Sequence, residues 1–366
     1  INNQLVKNAL VKSKYIFAKI MNTKKDIRNI DKQELIEFFI SKKIPKFRAN
    51  QVYEWLWKKR AISFDEMTSL SKELRELLKE YFVINAVKIH KAEKSIDGTA
   101  KYSLKLHDNN LVEGVLIPSK KRLTACVSSQ VGCSLACNFC ATGTLKLERN
   151  LSYSEIYDQV FILNEEAKLN FGRSLSNIVF MGMGEPLLNY DNLLKGISLI
   201  TTEKGLAISA KRITVSTAGI SKMITKLADD NVKFHLAISL HSAKDNTREE
   251  LMPINRAIPL EKLQDSIRYF YDKTGSRITY EYILFSNIND SLEDAHELVK
   301  FSRISPCKIN LIEYNPVDDL AYTKSSNKKT NDFIHFLENK NVIVNLRKSK
   351  GKDINAACGQ LVNKLK

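Results

Sequence analysis

With 57 Lys+Arg against 41 Asp+Glu over 366 residues, the chain has a formal charge of +16, which points to a polyanionic partner, nucleic acid first. Six cysteines, three of them bunched, are no disulfide framework, so a reducing compartment, the cytoplasm, is expected. No apolar run reaches the roughly 18 residues of a membrane span, and no apolar leader follows Ile1, so neither a spanning helix nor a signal peptide is expected.

Residues 1–25, rich in Lys and Asn with weak periodicity, read as a basic arm. Residues 26–85 read as a helical module. Asp31-Lys-Gln-Glu34 resembles a capping box and opens a helix through Phe39 with Leu35, Phe38 and Phe39 on one face. Pro45 breaks the chain, and a helix over Ala49–Lys59 turns Val52, Trp55 and Leu56 inward, with Lys58, Lys59 and Arg60 at its end. A third, Ser71–Tyr81, is amphipathic through Leu74, Leu77 and Leu78. The module reads either as an RNA-docking unit using the basic clusters at 41–48 and 58–60 or as a solvated packing unit. Over residues 86–118 the period switches to two, with turns at Asp97-Gly98 and Asp108-Asn109-Asn110, which predicts a β-meander linker.

Across residues 119–366, apolar runs alternate with helical patterns: Thr124–Val127, Asn177–Met181, Arg212–Ser216, Val232–Leu240, Ile278–Leu284 and Lys308–Ile312. Six such units predict an α/β fold, a partial (β/α)6 barrel; a doubly wound sheet satisfies the same rhythm. Either architecture puts functional groups at the C-terminal ends of its strands.

The first such end leads into C-V-S-S-Q-V-G-C-S-L-A-C-N-F-C-A-T-G, where Cys133, Cys137 and Cys140 form a C-x3-C-x2-C triplet in a turn-rich loop. Three thiolates suit a 4Fe-4S cluster with one open iron, since four cysteines normally close such a site. A structural zinc site wants a fourth ligand, usually from a second knuckle, and the sequence has none.

Further motifs sit after later strands. M-G-M-G-E-P ends the second, where Gly184 allows close backbone approach and the Glu185 carboxylate accepts from an amine. Ser216 ends the third, Ser239, Leu240 and His241 the fourth, and Asn315 follows the sixth. Each offers a hydrogen bond to a ligand, and each alone could be an ordinary polar strand end, His241 a structural histidine. Cys126 on the first strand and Cys358 in D-I-N-A-A-C-G-Q-L would meet at the barrel mouth as a nucleophile and a base or resolving thiol. Cys126 also suits a core position, and Cys307 reads as structural.

The triplet at this spacing resembles the cluster motif of radical S-adenosylmethionine (SAM) enzymes. That resemblance implies that SAM is held on the open iron and cleaved to a 5′-deoxyadenosyl radical. With M-G-M-G-E-P-L, A-I-S-L-H, M-P-I-N, C-K-I-N-L-I and D-I-x-A-A-C-G-Q-L, nearly the whole chain from about residue 30 is similar to the adenine C2 methyltransferases of ribosomal and transfer RNA.

This similarity implies that Cys133, Cys137 and Cys140 hold the cluster and that Gly184, Glu185, Ser216, Ser239, Leu240, His241 and Asn315 hold SAM. It further implies that one SAM methylates Cys358 and a second supplies the radical that takes a hydrogen from that methyl group. The carbon adds to adenine C2, and Cys126 resolves the crosslink, leaving a Cys126–Cys358 disulfide. Glu113 matches a position assigned as proton acceptor, though a strand carboxylate can simply face solvent. The implied partners are 23S rRNA, tRNA and an electron donor such as flavodoxin, the enzyme being a monomer. Adenine C2 is electron-poor and has no usable lone pair, so a carbon radical can add where a methyl cation equivalent cannot.

Lys146 stands near where that family usually has glycine, a departure that touches loop conformation. The related adenine C8 rRNA methyltransferase and a radical SAM enzyme with a non-RNA substrate are the alternatives; Pro186 after Glu185 favours C2.

Overall fold

The computed structural model describes residues 24–317 and 320–362; the basic arm falls, but for its last two residues, outside the described residues. The N-terminal module holds α1 (Lys32–Ser41), α2 (Phe47–Trp57) and α3 (Lys72–Tyr81). The capping box at α1 forms, Asp31 accepting from the Glu34 N–H while the Glu34 carboxylate accepts from the Asp31 N–H. Helix α2 starts two residues earlier than expected, and its inward stripe is Ala49, Val52, Leu56 and Trp57. Trp55, expected inward, lies off that stripe; it is half-buried, donates to Ser69 Oγ at 2.8 Å and takes the Lys59 ammonium on its ring face. Trp57 packs edge-on against Tyr157 instead.

Strands β1 (Lys88–Lys94), β2 (Ala100–Lys105) and β3 (Leu111–Pro118) form the expected meander. They do not merely link two units: β3 pairs antiparallel with β4 (Leu123–Cys126), so the meander is one end of a ten-stranded sheet. From β4 the chain alternates strand and helix through α4 (Tyr153–Phe171), β5 (Asn177–Phe180), α5 (Tyr190–Thr201), β6 (Ile213–Thr217) and α6 (Ser221–Asp229). It continues through β7 (His235–Ser239), α7 (Asp245–Leu251), α8 (Leu260–Thr274), β8 (Ile278–Leu284), α9 (Leu292–Ser302), β9 (Cys307–Glu313), α10 (Asn327–Asn339) and β10 (Val344–Arg347).

The sheet order follows the sequence from β1 to β10, with β4 to β10 all parallel. All six expected strands are present, and β10 adds a seventh, pairing Ile309 with Val344 through Ile312 with Arg347. The sheet does not close, since β1 and β10 are its two edges. The parallel strands carry near-continuous apolar runs because both of their faces are covered; β8 is buried along its whole length.

The module is locked to this domain by a buried cation–anion network. The Asp158 carboxylate on α4 accepts from Arg28 Nη1 at 2.7 Å, Arg60 Nε at 3.1 Å and the Val87 N–H at 2.9 Å. Arg60, read as part of a basic cluster, is thus committed to an internal ion pair.

Candidate active site

The cysteine loop hangs between β4 and α4, and its shape depends on two glycines. Gly132 has φ +75°, and a Cβ there would lie 2.0 Å from the Lys146 carbonyl oxygen; at Gly143 it would meet the Cys137 oxygen at 2.6 Å. Lys146 itself has no positive φ, so a residue with a side chain fits where glycine was the expectation. A Cys140 N–H to Cys137 O bond and a Gly143 N–H to Cys140 O bond close the turn around the triplet. Burial pushes the Cys133 thiol up to about 11 and raises Cys137 and Cys140, Cys137 further through its two thiol neighbours. A bound metal replaces those protons.

The three cysteines line a cavity of about 920 Å³, open at its mouth, together with the C-terminal ends of β5 to β9. Five of the seven residues expected to hold SAM line it: Gly184, Glu185, Ser216, Ser239 and His241. Gly184 has φ +91°, and a Cβ would strike Gln130 at 2.4 Å. The buried Glu185 carboxyl accepts from Leu187 N at 3.0 Å and Ala218 N at 2.8 Å; burial raises its pKa, which these bonds oppose. Ser216 Oγ and Ser239 Oγ lie 3.3 Å apart on neighbouring strands.

His241 has φ +57°, and its Nδ1 accepts from Ile283 N at 3.1 Å. Burial and then the Arg248 charge pull it down to about 3, so the ring is neutral and Nε2 carries its proton. Leu240 and Asn315 do not line the cavity. The Leu240 side chain is in the core while its N–H bonds Glu281 O, and Asn315 follows β9 with a buried Oδ1 that has no partner.

Sequence reasoning missed two charged residues here. Glu281 lines the cavity: Oε1 accepts from Asn310 Nδ2 at 2.8 Å, while the buried Oε2 has no partner. Its signal was a carboxylate between two tyrosines in an otherwise apolar strand. Arg248 is buried, bonded to Leu240 O, Asn255 Oδ1 and Ala218 O; burial lowers it to about 10, against the pull of Cys137. In sequence it reads as one charge in the solvated run N-T-R-E-E.

Cys358 faces two chambers. It lines the cavity just described and a second one of about 590 Å³, shared with Cys126, Ile117, Met181, Arg347, Lys348, Ser349 and Lys350. First strand and C-terminal segment therefore do meet at one mouth. Cys126 is buried and pushed up to about 12 by burial and then by Cys358. Cys358 is reached by solvent, yet protein walls surround its thiol and raise its pKa, Arg347 opposing. Both are free thiols, so the implied disulfide is not present; the reduced thiol is the form that can accept a methyl group.

Glu113 lines neither chamber and does not face solvent. Its carboxyl is buried 3.5 Å from Lys101 Nζ and accepts from the Val362 N–H at 2.9 Å; burial raises its pKa and Lys101 opposes. Cys307 donates to Ser302 O, the structural place expected of it.

The donor set fits a 4Fe-4S cluster with SAM: three thiols share one cavity with the buried Glu281 Oε2, an acceptor without a protein partner. Among the described residues no three His, Cys, Asp or Glu sit as close together as a single bound ion requires. Sheet and loop together define a radical SAM enzyme, and residues 127–300 match the family model of the radical SAM superfamily. Residues 25–84 match the ribosomal RNA large subunit methyltransferase N-terminal domain.

The chain is 55% identical over 348 residues to a probable dual-specificity RNA methyltransferase RlmN of Christiangramia forsetii, covering 95% of this chain and 99% of that one. To the protein of the same name from Flavobacterium psychrophilum it is 56% identical, covering 93% and 98%. The crystal structure of a radical SAM methyltransferase from Sphaerobacter thermophilus superposes with a TM-score of 0.86 at 37% identity, covering 92% and 99%. The chain belongs to the RlmN family of radical SAM RNA methyltransferases.

Proposed function

We propose that this protein methylates C2 of adenine in 23S rRNA and tRNA, with Cys358 as methyl carrier and Cys126 as resolving thiol. The observation that carries this reading is the position of Cys358 on both chambers, one lined by Cys133, Cys137 and Cys140 and the other by Cys126. A carrier must meet a methyl donor and then an acceptor, and a thiol on the wall between two cavities can do both without a large movement.

Cys133, Cys137 and Cys140 would hold the cluster, while Gly184, Glu185, Ser216, Ser239 and His241, which line the same cavity, would orient SAM. When bound, these groups would supply the radical that removes a hydrogen from the methyl on Cys358. The Cys358-linked carbon would then add to adenine C2, with the C2 proton leaving to a base and the surplus electron passing back to the one-electron carrier. The Cys126 thiolate would attack the Cys358 sulfur; the sulfur–carbon bond breaks with its electron pair going to the bridging carbon, which takes up a proton to become the methyl group, and a disulfide remains for an external reductant. Burial keeps Cys126 protonated beforehand, which suits a group that acts last.

Glu113 as proton acceptor would need to leave its bond to Val362. Arg347, Lys348 and Lys350 on the second chamber suit an RNA phosphate backbone. A one-electron donor such as flavodoxin, a monomeric state and a reducing, cytoplasmic setting complete the proposal; among the described residues no helix is long and apolar enough to cross a membrane. Mass spectrometry of adenines in rRNA and tRNA from cells with and without the gene tests it. Loss of 2-methyladenine from both is expected, and its retention in both would refute the assignment.

A further inference from the structure

The segment that presents Cys358 contains no regular element longer than the single turn Lys352–Ile354. Three of its residues, Gly351, Asn355 and Gly359, have positive φ. Such a strap holds a thiol in place only if its ends are fixed. Its far end is fixed by the Ala141 N–H to Gly359 O bond at 2.7 Å and the Thr142 Oγ1 to Leu361 O bond at 2.6 Å.

The near end is fixed by the β1–β2 hairpin turn, in a reciprocal exchange of carboxylates. Asp97 Oδ2 accepts from the Gly351 N–H at 3.0 Å, while Asp353 accepts from Ser95 Oγ at 2.6 Å and from the Ile96 N–H at 3.2 Å. Asp97 is itself held by the Thr99 N–H at 2.9 Å. The fit is close: a Cβ on Gly351 would lie 2.9 Å from Thr99 Cγ2 and 2.8 Å from Ala356 Cβ, at φ +64°. Both segments lie outside residues 25–84 and 127–300, which the family models match.

We infer that Asp97 and Asp353 are positioning residues that latch the meander turn to the strap and thereby hold the Cys358 thiol on the wall between the two chambers. Neither touches the reacting atoms. The geometry also gives the meander a task beyond extending the sheet, since its turn reaches across about 250 residues of sequence to the catalytic segment. The role in catalysis rests on Cys358 being the methyl carrier; the latch itself does not.

The test uses cluster-loaded protein alkylated with iodoacetamide, the rate at each cysteine being read by peptide mass spectrometry. Cys307, far from the strap, is the internal reference. In the Asp97→Ala/Asp353→Ala double variant, alkylation of Cys358 should rise about tenfold, as expected for loss of several charge-assisted hydrogen bonds, with Cys307 unchanged. Asp97→Asn, which keeps one acceptor oxygen as an amide carbonyl, should fall between. SAM cleavage should continue while methyl transfer to RNA drops, so that more 5′-deoxyadenosine is made per methyl transferred. A Cys358 rate within twofold of wild type in the folded double variant would overturn the latch and leave the carrier reading standing. Full activity of Cys358→Ala would overturn the carrier reading and leave the latch.

Discussion

The backbone N–H of Ala141, the residue after the third triplet cysteine, donates to the carbonyl of Gly359, the residue after Cys358, at 2.7 Å. The loop proposed to hold the cluster and the strap proposed to carry the methyl group are thus one hydrogen-bonded unit. Disturbing the first should loosen the second.

In Cys137→Ala, anaerobically reconstituted protein should hold almost no iron, and amide hydrogen exchange over residues 351–362 should be several-fold faster than in the loaded wild type. Full iron content would show that the triplet is not the ligand set.

Gly132→Ala should destabilise the fold by roughly 3 kcal/mol, because the added methyl meets the Lys146 backbone oxygen and the residue must hold a positive φ. Urea unfolding would show this as a lower midpoint at unchanged slope. An unchanged midpoint would mean that the loop can re-route without cost.

Much of this site was legible before the fold was seen. The triplet, the G-E-P turn and the polar strand ends are local in sequence, and a parallel sheet gathers strand ends at one rim whatever its details. What was not legible depends on non-local packing. Strand β10 escapes notice although V-N-L-R alternates, because it is only four residues long, mostly exposed and runs straight into the basic K-S-K, so its period-two signal is too brief to stand out. Trp55 and Trp57 flank the Ala49–Val52–Leu56 stripe on opposite sides, and which flank is buried is decided by the non-local packing of Trp57 against Tyr157. Glu113 reads as a proton acceptor with a solvent-facing carboxylate as the alternative, and neither reading foresees its bond to Val362, which is 249 residues away.

His241 makes a pH prediction. Its folded pKa of about 3 lies below the usual 6.5, so the unfolded chain takes up the proton first as the pH falls. Its contribution is nil above about pH 7 and becomes increasingly destabilising below 6.5, reaching roughly 2 kcal/mol at pH 5. His241→Gln should flatten the stability difference between pH 7 and pH 5 by that amount. Parallel curves for the two proteins would contradict the assigned neutral ring.

RNA affinity should fall steeply with salt through release of counterions from the phosphates. Replacing Arg347, Lys348 and Lys350 by Gln should lower the slope of log K against log salt by about 2 to 3, measured by filter binding with tRNA. An unchanged slope would place the phosphate contacts elsewhere on the chain.

The central claim is that Cys358 carries the carbon and Cys126 releases it. Cys126→Ala, incubated with SAM, reductant and RNA, should stop after the carbon has bonded to adenine. A protein–RNA band that survives denaturation should accumulate and collapse on nuclease treatment, with the residual adenine-containing mass on the peptide bearing Cys358. Normal turnover by Cys126→Ala with no adduct, or an adduct mapped to any other cysteine, would contradict the account.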